Sequence, residues 1–246
     1  TNDVLVLDAG DFSMGTLFHM LAREEAYELR TMLASGYDVV GLGSHDFDLK
    51  PDGLANMLRT GAEKGMPAVV CSNLVFSDAD KRDASLKKAY ADGLIRPYVV
   101  LERSGLKVGV FALIGRRAAE SAPFARPVKF GDPFRTAQTM VNMLRNDEKV
   151  DLVICLSYGG LNLDDPQQIK GDDVELAKRV TGINVIVGGH THTLCPKPQQ
   201  VRGTLIVQAG AYGAHVGVMD LTVEGGKATL ARYDMVAVDA GIAGDP

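Results

Sequence analysis

Residues 38–48 read "DVVGLGSHDFD": a β-branched, apolar start, two glycines, and then a cluster of polar side chains. The apolar part suits a strand buried on both faces, as in parallel sheets covered by helices. The flanking sequence agrees. "VLVLDAGD" (4–11) comes before it, then the helical pattern "EEAYELRTMLASG" (24–36); after it, "PDGLANMLRTGAEKG" (51–65) leads into "PAVVCSN" (67–73). Short apolar runs alternating with longer amphipathic ones predict βαβ units.

The rhythm changes at "PYVVLERSGLKVGVFALIG" (97–115), which predicts a β-hairpin turning at Ser104 and Gly105. A further β-α-β unit follows in "PFRTAQTMVNMLRN" (133–146), "VDLVICLSYGG" (150–160), "DDVELAKRVTG" (172–182) and "INVIVGGHTHT" (183–193). The last part, from 203 to 238, is strand after strand with Gly-Gly turns and predicts an antiparallel meander. Two sheets with helices on their outer sides, in one domain over 1–246, account for this order. No internal repeat or low-complexity segment is found, and "DAGIAGDP" (239–246) reads as a linker-like tail.

A chain of 246 residues with 46% hydrophobic content has ample material for a core. Its net charge of -5, from 26 basic and 31 acidic residues without long runs, offers no footprint for nucleic acid or an anionic membrane. Small-molecule chemistry is the expectation. Cys71, Cys155 and Cys195 are too few and too widely spaced for a disulfide framework, and Cys71 and Cys155 fall in apolar runs that suit core packing. No run of 18 apolar residues is present, so no membrane insertion is expected, and no secretory signal pattern is visible.

Four strand-like runs end in polar residues: Asp8 and Asp11, then His45, Asp46 and Asp48, then Tyr158, then His190 and His192. The carboxyl ends of strands form the ligand crevice of open α/β sheets, so these groups can meet there. His and Asp suit first-row divalent ions, and a carboxylate such as Asp11 can bridge two. In "GGHTHT" (188–193), period-2 spacing in an extended segment points both histidines to one face; the alternative is a plain polar loop. His45 with Asp48 reads as an acid–base pair in which the carboxylate fixes the imidazole tautomer, or as a helix start capped by Ser44 or Asp46.

Taken in this order, "LDAGDFSMGT", "GYDVVGLGSHDFD", "CSNL", "VDLVICLSYGG", "GGHTHT" and "VQAGAYGAHVGVMDLTV" resemble the calcineurin-like metallophosphoesterase superfamily, and within it the amino-terminal catalytic domain of the 5'-nucleotidase family. The resemblance implies a four-layer α/β/β/α sandwich of two mixed β-sheets. It implies hydrolysis of phosphate monoesters of nucleotides or related small molecules by a metal-activated water, with one or two divalent ions drawn from manganese, zinc, magnesium and iron. Asp11 would bridge the ions, His190 would bind one and His192 the other. His45, oriented by Asp48, would stabilise charge on the phosphoryl group or the leaving oxygen. Periplasmic or extracellular placement is implied in the same way.

Three departures accompany the resemblance. The family's Asp-x-His motif occurs nowhere in residues 1–246, so the strand carrying it is expected ahead of Thr1. Ser44 stands where the family places a metal-binding Asn, and Tyr158 where it places a histidine. Both belong to the ion shared by Asp11 and His190, which keeps two of its usual four ligands. Tyrosine is a poor ligand because its phenol must ionise, from a pKa of about 10; a ferric ion could ionise it. The alternative function is therefore a one-metal or non-catalytic descendant acting as a binding or scaffold domain. The carboxy-terminal nucleotide-recognition domain of the family is not found in this sequence.

His19 and His215 are expected to be structural, Arg116 and Arg117 a solvated pair, and Asn73 and Tyr212 residues that orient loops near the crevice.

Overall fold

A computed structural model of the chain describes residues 4–164 and 168–243, so the tail expected at 239–246 lies outside the described residues from 244 onward. The first half begins with β1 (Leu7–Asp8), α1 (Ala22–Glu25), α2 (Tyr27–Ala34), β2 (Val39–Val40), α3 (Lys50–Lys64) and β3 (Ala68–Val69). β1, β2 and β3 form a parallel sheet with β2 in the centre, Leu7 opposite Val39 and Val39 opposite Ala68. This is the predicted βαβ reading. Gly65 ends α3 at φ 104, a conformation that glycine adopts without a Cβ penalty.

Next come β4 (Leu74–Val75), α4 (Ala84–Ala91), β5 (Tyr98–Arg103), β6 (Leu106–Ile114), α5 (Arg116–Glu120), β7 (Lys129–Phe130), α6 (Pro133–Asn146), β8 (Leu152–Tyr158), α7 (Asp172–Arg179) and β9 (Val185–Gly188). The hairpin between β5 and β6 turns at Ser104 and Gly105, both at positive φ (51 and 75), as predicted. Helix α6 is announced locally: the Asp132 carboxylate accepts the Arg135 N–H at 2.9 Å and Pro133 occupies the first turn.

The chain closes with β10 (Gln199–Val201), β11 (Thr204–Val207), β12 (His215–Glu224) and β13 (Lys227–Ala237). The six-stranded sheet has the order β10-β11-β9-β8-β6-β5, parallel through β11, β9, β8 and β6 with antiparallel strands at both edges. The antiparallel meander expected from 203 to 238 is corrected here: β11 runs parallel to β9, and only the β10–β11 and β12–β13 pairs are antiparallel. The reason is burial. All four residues of β11 are buried, which suits an inner parallel position and not a half-exposed ribbon.

Side-chain alternation builds the layers. Val108, Val110 and Ala112 of β6 join Leu152, Ile154 and Leu156 of β8 in a core between the sheets, with Val39 of β2 and Leu221 and Leu230 of the β12–β13 hairpin. Phe111, Leu113, Val153 and Cys155 point the other way, onto Ala137, Val141 and Leu144 of α6 and Val174 and Ala177 of α7. On the far side of the small sheet, Val40 and Val69 pack on Leu29, Leu54, Leu58 and Leu86 of α2, α3 and α4. Helices, sheet, sheet and helices give the predicted four-layer α/β/β/α sandwich, although the smaller sheet is purely parallel among the described residues. Cys71 and Cys155 are free and buried, in agreement with core packing, and Cys195 is free and buried as well.

Candidate functional site

The loops that follow β1 and β2 cross in direct contact. A Cβ on Gly10 would lie 2.5 Å from Gly43 N, and one on Gly43 would lie 2.2 Å from Asp11 Oδ1, so both positions require glycine. The crossing is held by Asp46. Its carboxylate, 1% exposed, accepts the N–H groups of Gly43 at 2.8 Å, Asp11 at 3.0 Å and Ser13 at 3.1 Å. Burial raises this carboxyl to about 7, with the Asp11 charge adding to the effect and the backbone N–H donors opposing it. The sequence suggested Ser44 or Asp46 as a helix cap. Ser44 does precede the short 3-10 turn His45–Phe47, but makes no side-chain cap bond there, and Asp46 spends its oxygens on the neighbouring loop.

Asp11, at φ 65, turns its carboxylate back onto the second loop, where Oδ1 accepts the His45 backbone N–H at 2.7 Å. The His45 ring is hydrogen-bonded through Nδ1 to Asp48 Oδ2 at 2.8 Å, the pair read from the sequence. That bond raises the imidazole pKa, and with the ring 56% exposed its Nε2 remains available.

From the other sheet, β8 delivers Tyr158 and β9 leads to His190. The Tyr158 hydroxyl donates to Asp11 Oδ2, and the phenol ring lies tilted against the His190 ring at 5.1 Å. Burial, then the bond to Asp11, drives the phenol pKa well above its ordinary value, so the group is neutral. Burial lowers the His190 pKa, against the charges of Asp11 and Asp172.

The extended reading of "GGHTHT" is corrected. His190 and His192 sit at φ 70 and 55, in left-handed backbone, so the two rings do not share a strand face. Thr191 fixes this turn: its hydroxyl donates to Leu161 O at 2.8 Å and accepts the Leu161 N–H at 3.1 Å, while Gln208 Nε2 donates to Gly189 O at 3.2 Å. His192 is exposed and meets the Tyr212 ring edge-on at 5.2 Å.

Three further candidates have structural explanations. His19 is hydrogen-bonded to Ser13 O. Asn73 exchanges bonds with the Ile114 backbone and donates to Gly131 O, tying three segments together. Arg116 pairs with Asp132 at 2.6 Å over the Phe134 ring.

Asp173 went unnoticed in the sequence, where it looked like an acidic residue in a first helical turn. It is fully buried beneath the β8 and β9 ends: Ser157 Oγ donates to its Oδ1 at 2.5 Å, Oδ2 has no partner among the described residues, and a Cβ on Gly188 would come within 2.6 Å of Oδ2. Burial raises its pKa to about 7. The folded value lies above the unfolded one of about 3.9, so the native state holds the proton more tightly and stability falls as pH rises from about 4 through about 7. Urea unfolding across this range is expected to show Asp173→Asn losing part of that slope, up to about 4 kcal/mol in total; parallel curves for variant and parent would refute the assignment.

Among the described residues, no three His, Cys, Asp or Glu side chains form a ligand set. Both Asp11 oxygens already bond to protein donors, and Ser44 and Tyr158 offer a hydroxyl and a neutral phenol. These groups do not fit the ion expected between Asp11 and His190.

No model of a known protein family matches the chain. Among curated proteins it is 33% identical to the trifunctional nucleotide phosphoesterase protein YfkN of Bacillus subtilis, over 91% of this chain and 16% of that protein. It is 27% identical to the 5'-nucleotidase of Vibrio vulnificus, over 96% of this chain and 44% of that one, so it spans less than half of either relative. Among solved structures, the 5'-nucleotidase precursor of Thermus thermophilus superposes with a TM-score of 0.71 at 30% identity, over 95% of this chain and 45% of the other. The calcineurin-like phosphoesterase YfkN of Bacillus subtilis gives 0.73 at 20% identity, over 98% of this chain and 78% of that chain, a likeness of fold. With the four-layer sandwich and its strand-end histidines and aspartates, these similarities place the chain in the 5'-nucleotidase family of calcineurin-like metallophosphoesterases.

Proposed function

We propose that the domain hydrolyses phosphate monoesters of nucleotides or related small molecules. The observation that carries this reading is the His45–Asp48 pair, held beside Asp11 at the carboxyl ends of β1 and β2. A phosphoryl group brought there meets an exposed imidazole whose tautomer is fixed by a carboxylate. Protonated, that imidazole donates to a phosphoryl oxygen or to the leaving oxygen and offsets charge developing in the transition state. Asp11 anchors His45 through its backbone N–H, so the imidazole is presented from a fixed loop.

One divalent ion, manganese, zinc, magnesium or iron, belongs to the same proposal, with a remaining lone pair of Asp11 and the exposed His192 ring as donors; when bound, such an ion supplies charge neutralisation and water activation. Placement in the periplasm or at the cell surface is proposed with it. Among the described residues, no helix is long and apolar enough to cross a membrane.

A second reading, a binding or scaffold domain without catalysis, is favoured by one observation: the hydroxyl of Tyr158 on Asp11. Metal analysis of the purified chain, with hydrolysis of 4-nitrophenyl phosphate and nucleoside monophosphates under added manganese, zinc, magnesium or iron, separates the two. Metal-dependent turnover is the expected result. No bound metal and no hydrolysis under any condition would leave the scaffold reading.

A further inference from the structure

We propose that Tyr158 stands where a cation would: its hydroxyl on Asp11 and its ring against His190 fill the position between them, so that this centre holds at most one ion. Each carboxylate oxygen has two lone pairs, so an ion can share it with a hydrogen-bond donor only where no protein group already occupies the ion's place. Here Asp11 Oδ1 accepts the His45 N–H at 2.7 Å and Oδ2 accepts the phenol O–H. The phenol thus gives Asp11 the positive end of a dipole in place of a positive ion.

The surroundings are built for the ring. Residue 189 is glycine, and a Cβ there would lie 2.9 Å from Tyr158 Cδ2. Ala9, 7% exposed, lies on the same side, with its Cβ 3.3 Å from that Gly189 position. Ser44, 2% exposed, is buried just past the end of β2, next to His45. A longer amide at 44 would compete with the phenol for this space. The two departures at 44 and 158 act together: the short side chain after β2 leaves room for the long one from β8, whose hydroxyl bonds Asp11.

The proposal shares its placement of Asp11 with the proposed function, but its readout is ion stoichiometry, so a chain without activity still tests it. Calorimetric titration of manganese and zinc into the whole chain is expected to show at most one ion bound by the parent and by Tyr158→Phe. In the double variant Ser44→Asn, Tyr158→His, an additional ion or about ten-fold tighter binding is expected. Two ions per parent chain would overturn the proposal, as would a folded double variant that binds like the parent. Ferric iron added to the parent provides an arm that needs no folded double variant. No visible charge-transfer band is expected, and a band that disappears in Tyr158→Phe would make Tyr158 a ligand and end the proposal.

Discussion

Replacing His45 by alanine is expected to lower kcat/KM on a nucleoside monophosphate by about 10²- to 10³-fold, with little change in the unfolding midpoint. The separation of activity from stability follows from which atoms do what. The bond from residue 45 to Asp11 Oδ1 is made by the backbone N–H and survives in alanine. The side chain is 56% exposed, so its removal leaves no cavity and costs little packing. What is lost is the imidazole that would face the phosphoryl group. Asp48→Asn keeps the ring but weakens its hold, and a smaller loss of about 10-fold is expected. Steady-state kinetics beside thermal unfolding measure both quantities, and an unchanged rate in His45→Ala would remove His45 from the mechanism.

The second large effect is on stability. Asp46→Ala is expected to cost about 3–5 kcal/mol, because the backbone N–H groups of Asp11, Ser13 and Gly43 all lose their acceptor, those of Ser13 and Gly43 in bonds that are fully buried. Asp46→Asn should lose less but not nothing, since its amide N–H₂ would face N–H donors on one side. Urea unfolding reads this directly, and a loss below about 1 kcal/mol would show that the loop crossing is held by something else. The neighbouring glycines give an independent check on the same crossing: Gly43→Ala places a methyl 2.6 Å from Asp11 N, where backbone has to move.

Much of the fold was legible because its signals are local. The Ser104–Gly105 turn, the helical run 133–146 and the apolar runs of β6 and β8 each depend on residues close together in the chain. The misreadings occurred where a distant partner decides. β11 has the composition of any buried strand, and its parallel course was set by its place beside β9. His190 and His192 looked extended, yet Thr191 is pinned by Leu161 from a preceding loop, and a Cβ on Gly160 would come within 2.3 Å of Thr191 Cγ2. Asp46 resembled a helix cap because its true partners, Asp11 and Ser13, lie on another loop.

The sequence by itself determined the layered α/β plan and the His45–Asp48 pair, since hydrophobic period and i, i+3 spacing are written along one stretch of chain. Only the tertiary structure decided what satisfies Asp11. A carboxylate bonds to whatever donors the fold brings within about 3 Å, and here one of them is the hydroxyl of Tyr158, 147 residues away on a strand of the other sheet.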